Sequence, residues 1–194
     1  MLRPVLFILF LALSITSCDV VKQAQKAGNL LNCSFRLKSV ENLSLAGVNI
    51  QQLTKLTDLS VSNVAMLTSA AMGGALPLQF NLNLEGKNPN QSAAGLAGFD
   101  YILLIDNIEM TKGVINRKVN IPAGKSSVIP MQMNIDLKKA LSGKGTDALL
   151  NFVMNLAGTG SKPTRFSMKI KPTIKIGDYP LQYPDYLTIG TEFK

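Results

Sequence analysis

Leu78-Gln79-Phe80-Asn81-Leu82-Asn83-Leu84-Glu85-Gly86-Lys87-Asn88-Pro89-Asn90 is the stretch that decides the fold. Phe80, Leu82 and Leu84 alternate with Gln79, Asn81, Asn83 and Glu85. A period of two sends the apolar set to one face of a strand and the polar set to the other. Gly86-Lys87-Asn88-Pro89-Asn90 then supplies turn chemistry, because proline cannot continue a central ladder and Asn and Gly tolerate left-handed dihedrals.

The pattern repeats outward from there. Tyr101 to Ile105 reads as an apolar strand covered on both faces, Thr111-Lys112-Gly113 as a tight turn, and Val114 to Ile121 as the return. Pro122-Ala123-Gly124-Lys125 turns again, and Ser127 to Ile135 alternates Val128, Met131, Met133 and Ile135 with polar neighbours. Pro130 inside that run predicts an edge strand or a bulge. Near the end, Phe166, Met168 and Ile170 face one way and Ser167, Lys169 and Lys171 the other. Ile174 and Ile176 lead to a Gly177-Asp178 turn, and Tyr186 to Phe193 closes the sheet. Upstream, Ser34 to Val40 and Asn42 to Ile50 read as the first two strands. Strands of this length, with turns every ~8–12 residues, predict a mainly β chain folded as an antiparallel sandwich.

One or two helices are added to it. Thr57 or Asp58 can cap a segment with Val61, Val64, Ala65, Ala71 and Met72 on one stripe, stopped by Gly73-Gly74. Asp147 to Ala157 places Leu149, Leu150, Val153, Leu156 and Ala157 on one face, ended by Gly158 and Gly160. Asp136 to Leu141 reads as a helical turn before it. Both stripes are expected to pack on the sheet.

Composition narrows the chemistry. At 194 residues the chain has room for one domain and a short appendage. It is 46% hydrophobic, enough to bury a core, and 16% charged, below the ~25% of typical soluble domains. It has no histidine, no tryptophan and two cysteines. Ser-His-Asp and Cys-His catalysis, histidine-based zinc sites and multi-disulfide frameworks are excluded within it. Gly124-Lys125-Ser126 and Gly143-Lys144-Gly145-Thr146 lack the glycine that a phosphate loop needs five positions before the Gly-Lys pair; Val119 and Lys138 stand there. Asp106 and Glu109, three apart on a strand, point to opposite faces. No catalytic residue, cofactor or metal is therefore assigned, and the chain is read as a non-enzyme.

The first eighteen residues read as an address. Arg3 is the only charge before Asp19, and residues 5–15 form an apolar run of eleven. That is too short for a membrane-spanning helix, which needs ~20 apolar residues. Its layout is that of a secretory signal peptide. The exit, Ile15-Thr16-Ser17-Cys18, resembles the lipobox of bacterial lipoproteins. That resemblance implies cleavage before Cys18, a thioether-linked diacylglycerol on its sulfur and acylation of the new amino group. Two or three chains make membrane attachment effectively permanent, whereas one is marginal. Cys33 is then left without a disulfide partner and is expected to be a small buried side chain. The chain divides accordingly into residues 1–17 (signal peptide), 18–32 (lipidated cysteine and tether) and 33–194 (folded domain). Fully extended, residues 19–32 reach under ~50 Å, so the domain stays near the membrane.

Leu78 to Leu137 resembles the late-embryogenesis-abundant type 2 family, also called the water-stress and hypersensitive-response domain. The matching elements are the strand Leu78–Leu84 ending in Asn88-Pro89-Asn90, then Tyr101-Ile102-Leu103-Leu104-Ile105-Asp106-Asn107-Ile108, Gly113 opening the next strand, and Ile121-Pro122-Ala123-Gly124-Lys125-Ser126 before an alternating strand. The resemblance implies an immunoglobulin- or fibronectin-III-like β-sandwich with no catalytic residues, acting in stress protection or as an interaction module. The insert at Thr57–Gly74 and the segment Asp147–Ala157 depart from the family and resemble Bacteroidetes-type lipoproteins that carry this domain.

The net charge is +8. Lys169, Lys171 and Lys175 are expected as a ladder on a solvent face, which protects a strand edge. Beside a bilayer, basic residues also attract anionic headgroups. With 6% aromatic residues and an envelope address, no nucleic-acid partner is expected. The sequence reading is a lipid-anchored envelope module whose domain faces the periplasm from the inner or outer membrane. Its partners are the membrane, through Cys18, and an envelope protein. The alternatives are an accessory subunit docking through the Thr57–Gly74 helix, and a carrier of a lipid or hydrophobic ligand.

Overall fold

The computed structural model describes residues 20–53, 56–142, 165–176 and 178–192. The signal segment, Cys18, the Gly143-Lys144-Gly145-Thr146 stretch and the Asp147–Ala157 segment lie outside the described residues. Helix α1 is described over residues 20–30, and α2 spans Val61–Met72 and α3 Leu137–Ala140. The strands are β1 (Ser34–Leu45), β2 (Val48–Asn49), β3 (Pro77–Lys87), β4 (Ala94–Leu96), β5 (Gly98–Ile105), β6 (Ile108–Ile115), β7 (Val119–Ile121), β8 (Ser126–Asp136), β9 (Arg165–Ile176), β10 (Tyr179–Gln182) and β11 (Leu187–Glu192).

Two antiparallel sheets form the predicted sandwich. One has the order β2-β1-β3-β8; the other has the order β10-β9-β5-β6, with β11 also on β9, and β4 pairs β7 separately. Their inner faces share one core, in which Leu78, Leu82 and Leu84 of β3, Leu103 and Ile105 of β5 and Met168 of β9 are fully buried. Phe80 and Phe166 meet across it edge to face, ring centroids 5.9 Å apart, a geometry aromatic quadrupoles favour. β3 has the expected phase, and β8 buries Ile129, Met131, Met133 and Ile135 while Val128 points out. Among the described residues β8 pairs only with β3. Pro130 thus sits on an edge, and its carbonyl turns outward to accept from Arg117 Nη2 at 3.1 Å.

The turns correct several expectations. Ser34 to Leu45 is one strand, not a strand that ends at Val40. Asn42, at φ 56°, marks a bulge between Glu41 and Ser44 against β3. The real hairpin turn is Ala46-Gly47, both at positive φ, between the Leu45–Val48 pair; this is the twist a two-residue hairpin demands. Asp106-Asn107, at φ 50° and 63°, makes the same turn between β5 and β6. Gly113 is therefore not a turn residue. It lies inside β6 opposite Tyr101, where a Cβ would come 2.8 Å from the tyrosine hydroxyl oxygen. The glycine lets the ring lie across the strand. β5 is also less covered than predicted, with Tyr101, Ile102 and Leu104 only half-buried.

The last strand is broken. Gln182 lies opposite Thr173 and Leu187 opposite Ile170, so residues 183–186 on the outer strand face only Lys171 and Pro172 on β9. Pro172 has no N–H to offer that neighbour, and its carbonyl accepts from Tyr183 N at 2.9 Å. The outer strand jogs where the donor is missing.

The helices differ in how they attach. The segment expected as a tether forms α1, with Ala27 and Leu30 buried. Ser60 caps α2, its hydroxyl accepting from Asn63 N at 3.2 Å; Thr57 and Asp58 sit in a preceding 3₁₀ turn, Leu56–Asp58. No residue of α2 is buried. Leu67 and Ala70 rest partly on the core, whereas Val61 and Met72 of the predicted packing stripe are 88% and 83% exposed. The turn expected after β8 is α3, capped by Asp136.

Candidate functional site

Asn88 is the buried polar residue of the core, with no exposed surface. It follows β3, and Pro89 after it stops the ladder. Its amide nitrogen donates to the carbonyls of Ile121 (2.9 Å), Ser92 (3.0 Å) and Pro122 (3.2 Å). Its oxygen accepts from the Asn90 backbone N–H at 3.0 Å and the Asn90 side-chain amide at 2.7 Å. The first of these is an Asx turn. Its own N–H reaches the Lys125 carbonyl at 2.9 Å. A buried amide is tolerated when every donor and acceptor is met, and here one side chain ties β3 to the loop before β4 and to the Pro122–Lys125 turn. That turn is the Gly124-Lys125-Ser126 stretch. Gly124 at φ 63° donates to Asn90 O and Lys125 N to Pro122 O, so it is a turn and not a phosphate cradle.

A second amide layer fastens α1 to this turn. Asn29 Nδ2 donates to Ser92 Oγ at 2.7 Å and to Ala93 O at 3.1 Å. Asn90 Nδ2 donates to Asn29 O at 2.8 Å, and Asn32 Nδ2 to Asn90 Oδ1 at 3.0 Å. Cys33 follows α1, half-buried with a free thiol that donates to Asn29 O at 3.4 Å. Burial pushes its pKa up, which makes it a poor nucleophile at neutral pH.

Beside this clamp is a cleft of about 450 Å³ between α1, β4, β7 and the end of β9. Ala27, Leu96, Val119 and Ile174 give it an apolar floor, and Lys26, Lys118 and Lys175 line it together with Asp178. Lys175 pairs with Asp178 at 3.3 Å. Gly95 of β4 sits tightly against β7, where a Cβ would come 3.2 Å from the Val119 carbonyl oxygen, and it is in ordinary contact with Lys26 of α1.

The remaining sequence candidates are dispersed. Asp106 is in the β5–β6 turn, its carboxylate accepting from Arg165 N at 2.9 Å, so it is not paired with Glu109 as a shared acid–base site. Glu85 lies in an exposed cluster with Arg36 at 2.6 Å and Lys38 at 3.5 Å. The Arg36 hydrogen bond first, then the nearby positive charges, hold its carboxyl below the usual range. Lys169 and Lys175 are exposed as predicted, while Lys171 is half-buried with its ammonium 5.7 Å from the Tyr186 ring centroid. Among the described residues no three His, Cys, Asp or Glu side chains gather as for a metal. No described helix is long and apolar enough to cross a membrane. Cys18 lies outside the described residues. The sequence reading found the Asn88-Pro89-Asn90 turn but missed the clamp; the signal was the recurrence of asparagine at 29, 32, 88 and 90, each at the end of an element.

No family model matches the chain, and no curated protein matches it. Similar solved structures include a crystal structure of a protein from Archaeoglobus fulgidus, 15% identical over 81% of this chain and 95% of that one, TM-score 0.38. They also include a solution structure of an Arabidopsis thaliana protein, 11% identical over 83% and 77%, TM-score 0.41. A third is a solution structure described as a late embryogenesis abundant (LEA) protein, 10% identical over 96% and 85%, TM-score 0.41. The assignment of a two-sheet antiparallel sandwich rests on the strand registers themselves.

Proposed function

We propose that the chain is a bacterial envelope lipoprotein, anchored through lipid on Cys18, whose sandwich is a non-enzymatic binding or stress-protective module facing the periplasm. The observation that carries the reading is Ile15-Thr16-Ser17-Cys18 directly after an eleven-residue apolar run. The chemistry of the chain agrees with it. There is no histidine, and among the described residues the one fully buried polar side chain, Asn88, is committed to structure. Radiolabelled palmitate fed to cells is expected in the wild-type protein and absent from Cys18→Ala; equal labelling of both overturns the anchor.

The accessory-subunit reading has one observation of its own. Residues 59–84 carry no charge, and within them α2 exposes Val61, Val64, Met66 and Met72. A solvated helix is ordinarily studded with charge, so this surface suits an envelope protein partner. Cross-linking from positions 61 and 72 in intact cells is expected to capture one discrete partner; monomer alone at native abundance counts against it. The carrier reading relied on Asp147–Ala157, outside the described residues.

A further inference from the structure

We infer that the cleft beside α1 is the surface on which the domain rests against its own membrane, and that Lys26, Lys118 and Lys175 bind anionic phospholipid headgroups there. The inference rests on the anchored reading and adds to it an orientation and a lipid class.

Three observations lead to it. α1 is helical from the first described residue, 20, and is clamped to the sandwich by Asn29, Asn32 and Asn90. A lipid on Cys18 lies two positions along the chain from residue 20, in a helix fixed to the fold. Two residues reach at most ~7 Å whatever their conformation, so residue 20 is held within headgroup reach of the bilayer. The end of the molecule presented there is basic. Lys22, Lys26, Lys118 and Lys175 line the cleft and the hollow on the other flank of α1, against one acid, Asp178. The same end is also rimmed by apolar side chains that water does not favour. Val20 and Val21 on α1 are exposed, as are Tyr179, at 78%, and Leu181 on β10, the strand that starts next to Asp178. Lysines beside exposed aliphatic and aromatic side chains suit the boundary between headgroups and acyl chains.

The geometry favours a headgroup over a whole lipid. The floor of Ala27, Leu96, Val119 and Ile174 sits in an open cleft of about 450 Å³, room for a phosphate and its glycerol but not for two acyl chains. Phosphate oxygens would face Lys26 and Lys118. Lys175 would join them by exchanging its exposed pairing with Asp178, and exposed pairs of this kind are weak. Each lysine brought to an anionic surface is worth about fivefold in affinity.

The test uses the full mature protein isolated from membranes and reconstituted into phosphatidylcholine vesicles with or without phosphatidylglycerol. Each lysine is acylated by a water-soluble reagent, and the rate is read by mass spectrometry. Lys26, Lys118 and Lys175 are expected to react several-fold more slowly when phosphatidylglycerol is present. Lys112 and Lys139, placed on β6 and α3, should be unaffected. Equal rates in the two vesicles overturn the inference. Protection reproduced by soluble glycerol phosphate in phosphatidylcholine vesicles also overturns it, by showing a small-anion site. The same spectra report the mass of the Cys18 peptide. An unmodified peptide overturns the anchor separately. In that case the wild-type protein should still float with phosphatidylglycerol vesicles, and Lys26→Gln/Lys118→Gln/Lys175→Gln should float about a hundredfold less tightly; no difference between the two defeats the lysine cleft on its own terms.

Discussion

The two ends of β3 are built on opposite plans. At its C-terminal end Asn88 is fully buried, its side-chain amide and backbone N–H all met, and a second layer of asparagines straps α1 down. At its N-terminal end α2 lies on the sandwich through Leu67 and Ala70 and buries none of its own residues. The eleven residues of β3 hold these ends roughly 33 Å apart. The difference separates a fixed end from a presented one. Several directional hydrogen bonds, most of them part-buried, set one position for α1, whereas two half-buried side chains leave most of the surface of α2 available to something else.

If that contrast is right, perturbations should fall away from the first end to the second. The largest effect is expected for Asn88→Ala. It removes the donor to the carbonyls of Ser92, Ile121 and Pro122 and the acceptor for the Asn90 backbone N–H and side-chain amide, at a position with no exposed surface. The cost is about 4 kcal/mol, a fall in Tm of about 8–16 °C for a chain of this size, read by circular dichroism. Gly98→Ala comes next. A Cβ there would collide with the Ile115 carbonyl oxygen, and backbone cannot retreat as a side-chain tip can. About 1–3 kcal/mol is expected by the same measurement.

Asn29→Ala sharpens the comparison. It removes the bonds to Ser92 and Ala93 and is expected to cost about 1 kcal/mol. Limited proteolysis should then cut within residues 20–30 well before the sandwich is degraded. Simultaneous loss of both would mean that α1 is integral to the core. At the other end Asp136 accepts from Leu76 N and Lys138 N, and the Leu76 bond first, with the Lys138 bond, holds its carboxyl below the usual range. A depressed carboxyl stabilises above its unfolded pKa, and that contribution is lost as pH falls through the folded value. Asp136→Asn should therefore lower Tm at neutral pH, with the gap to wild type closing on acidification. The smallest effect is predicted for Val61→Ser, within about 0.5 kcal/mol, since that side chain is 88% exposed. A large loss there would show that α2 is structural.

What the sequence showed, and what it hid, follows the range of the interactions. β3, β8 and the first half of β9 were legible because burial of one face writes itself into every second residue. The turns were not. Ala46-Gly47 lacks the usual asparagine, and Asp106-Asn107 sits inside a run that reads as one strand. Gly113 invited a turn because glycine usually marks one. Its actual reason, the Tyr101 ring across from it, is a cross-strand fact invisible to local reading. The Asn88-Pro89-Asn90 turn was recognised, but its burial depends on carbonyls 33 and 34 positions away. Residues 19–32 were read as a short tether; within them Ala27 finds β4 and β7, and Leu30 the core, only in three dimensions. The α2 stripe failed for another reason. Periodicity identifies an apolar face but not what covers it.

The jog opposite Pro172 bears on how such molecules live side by side. A straight strand margin exposes a row of unpaired backbone groups and can serve as a template for stacking with another chain. Here the margin is cut into a four-residue piece and a six-residue piece, two positions out of step. An intruding chain paired with one piece meets the offset at the other, which shortens the straight run that this margin can offer as a template.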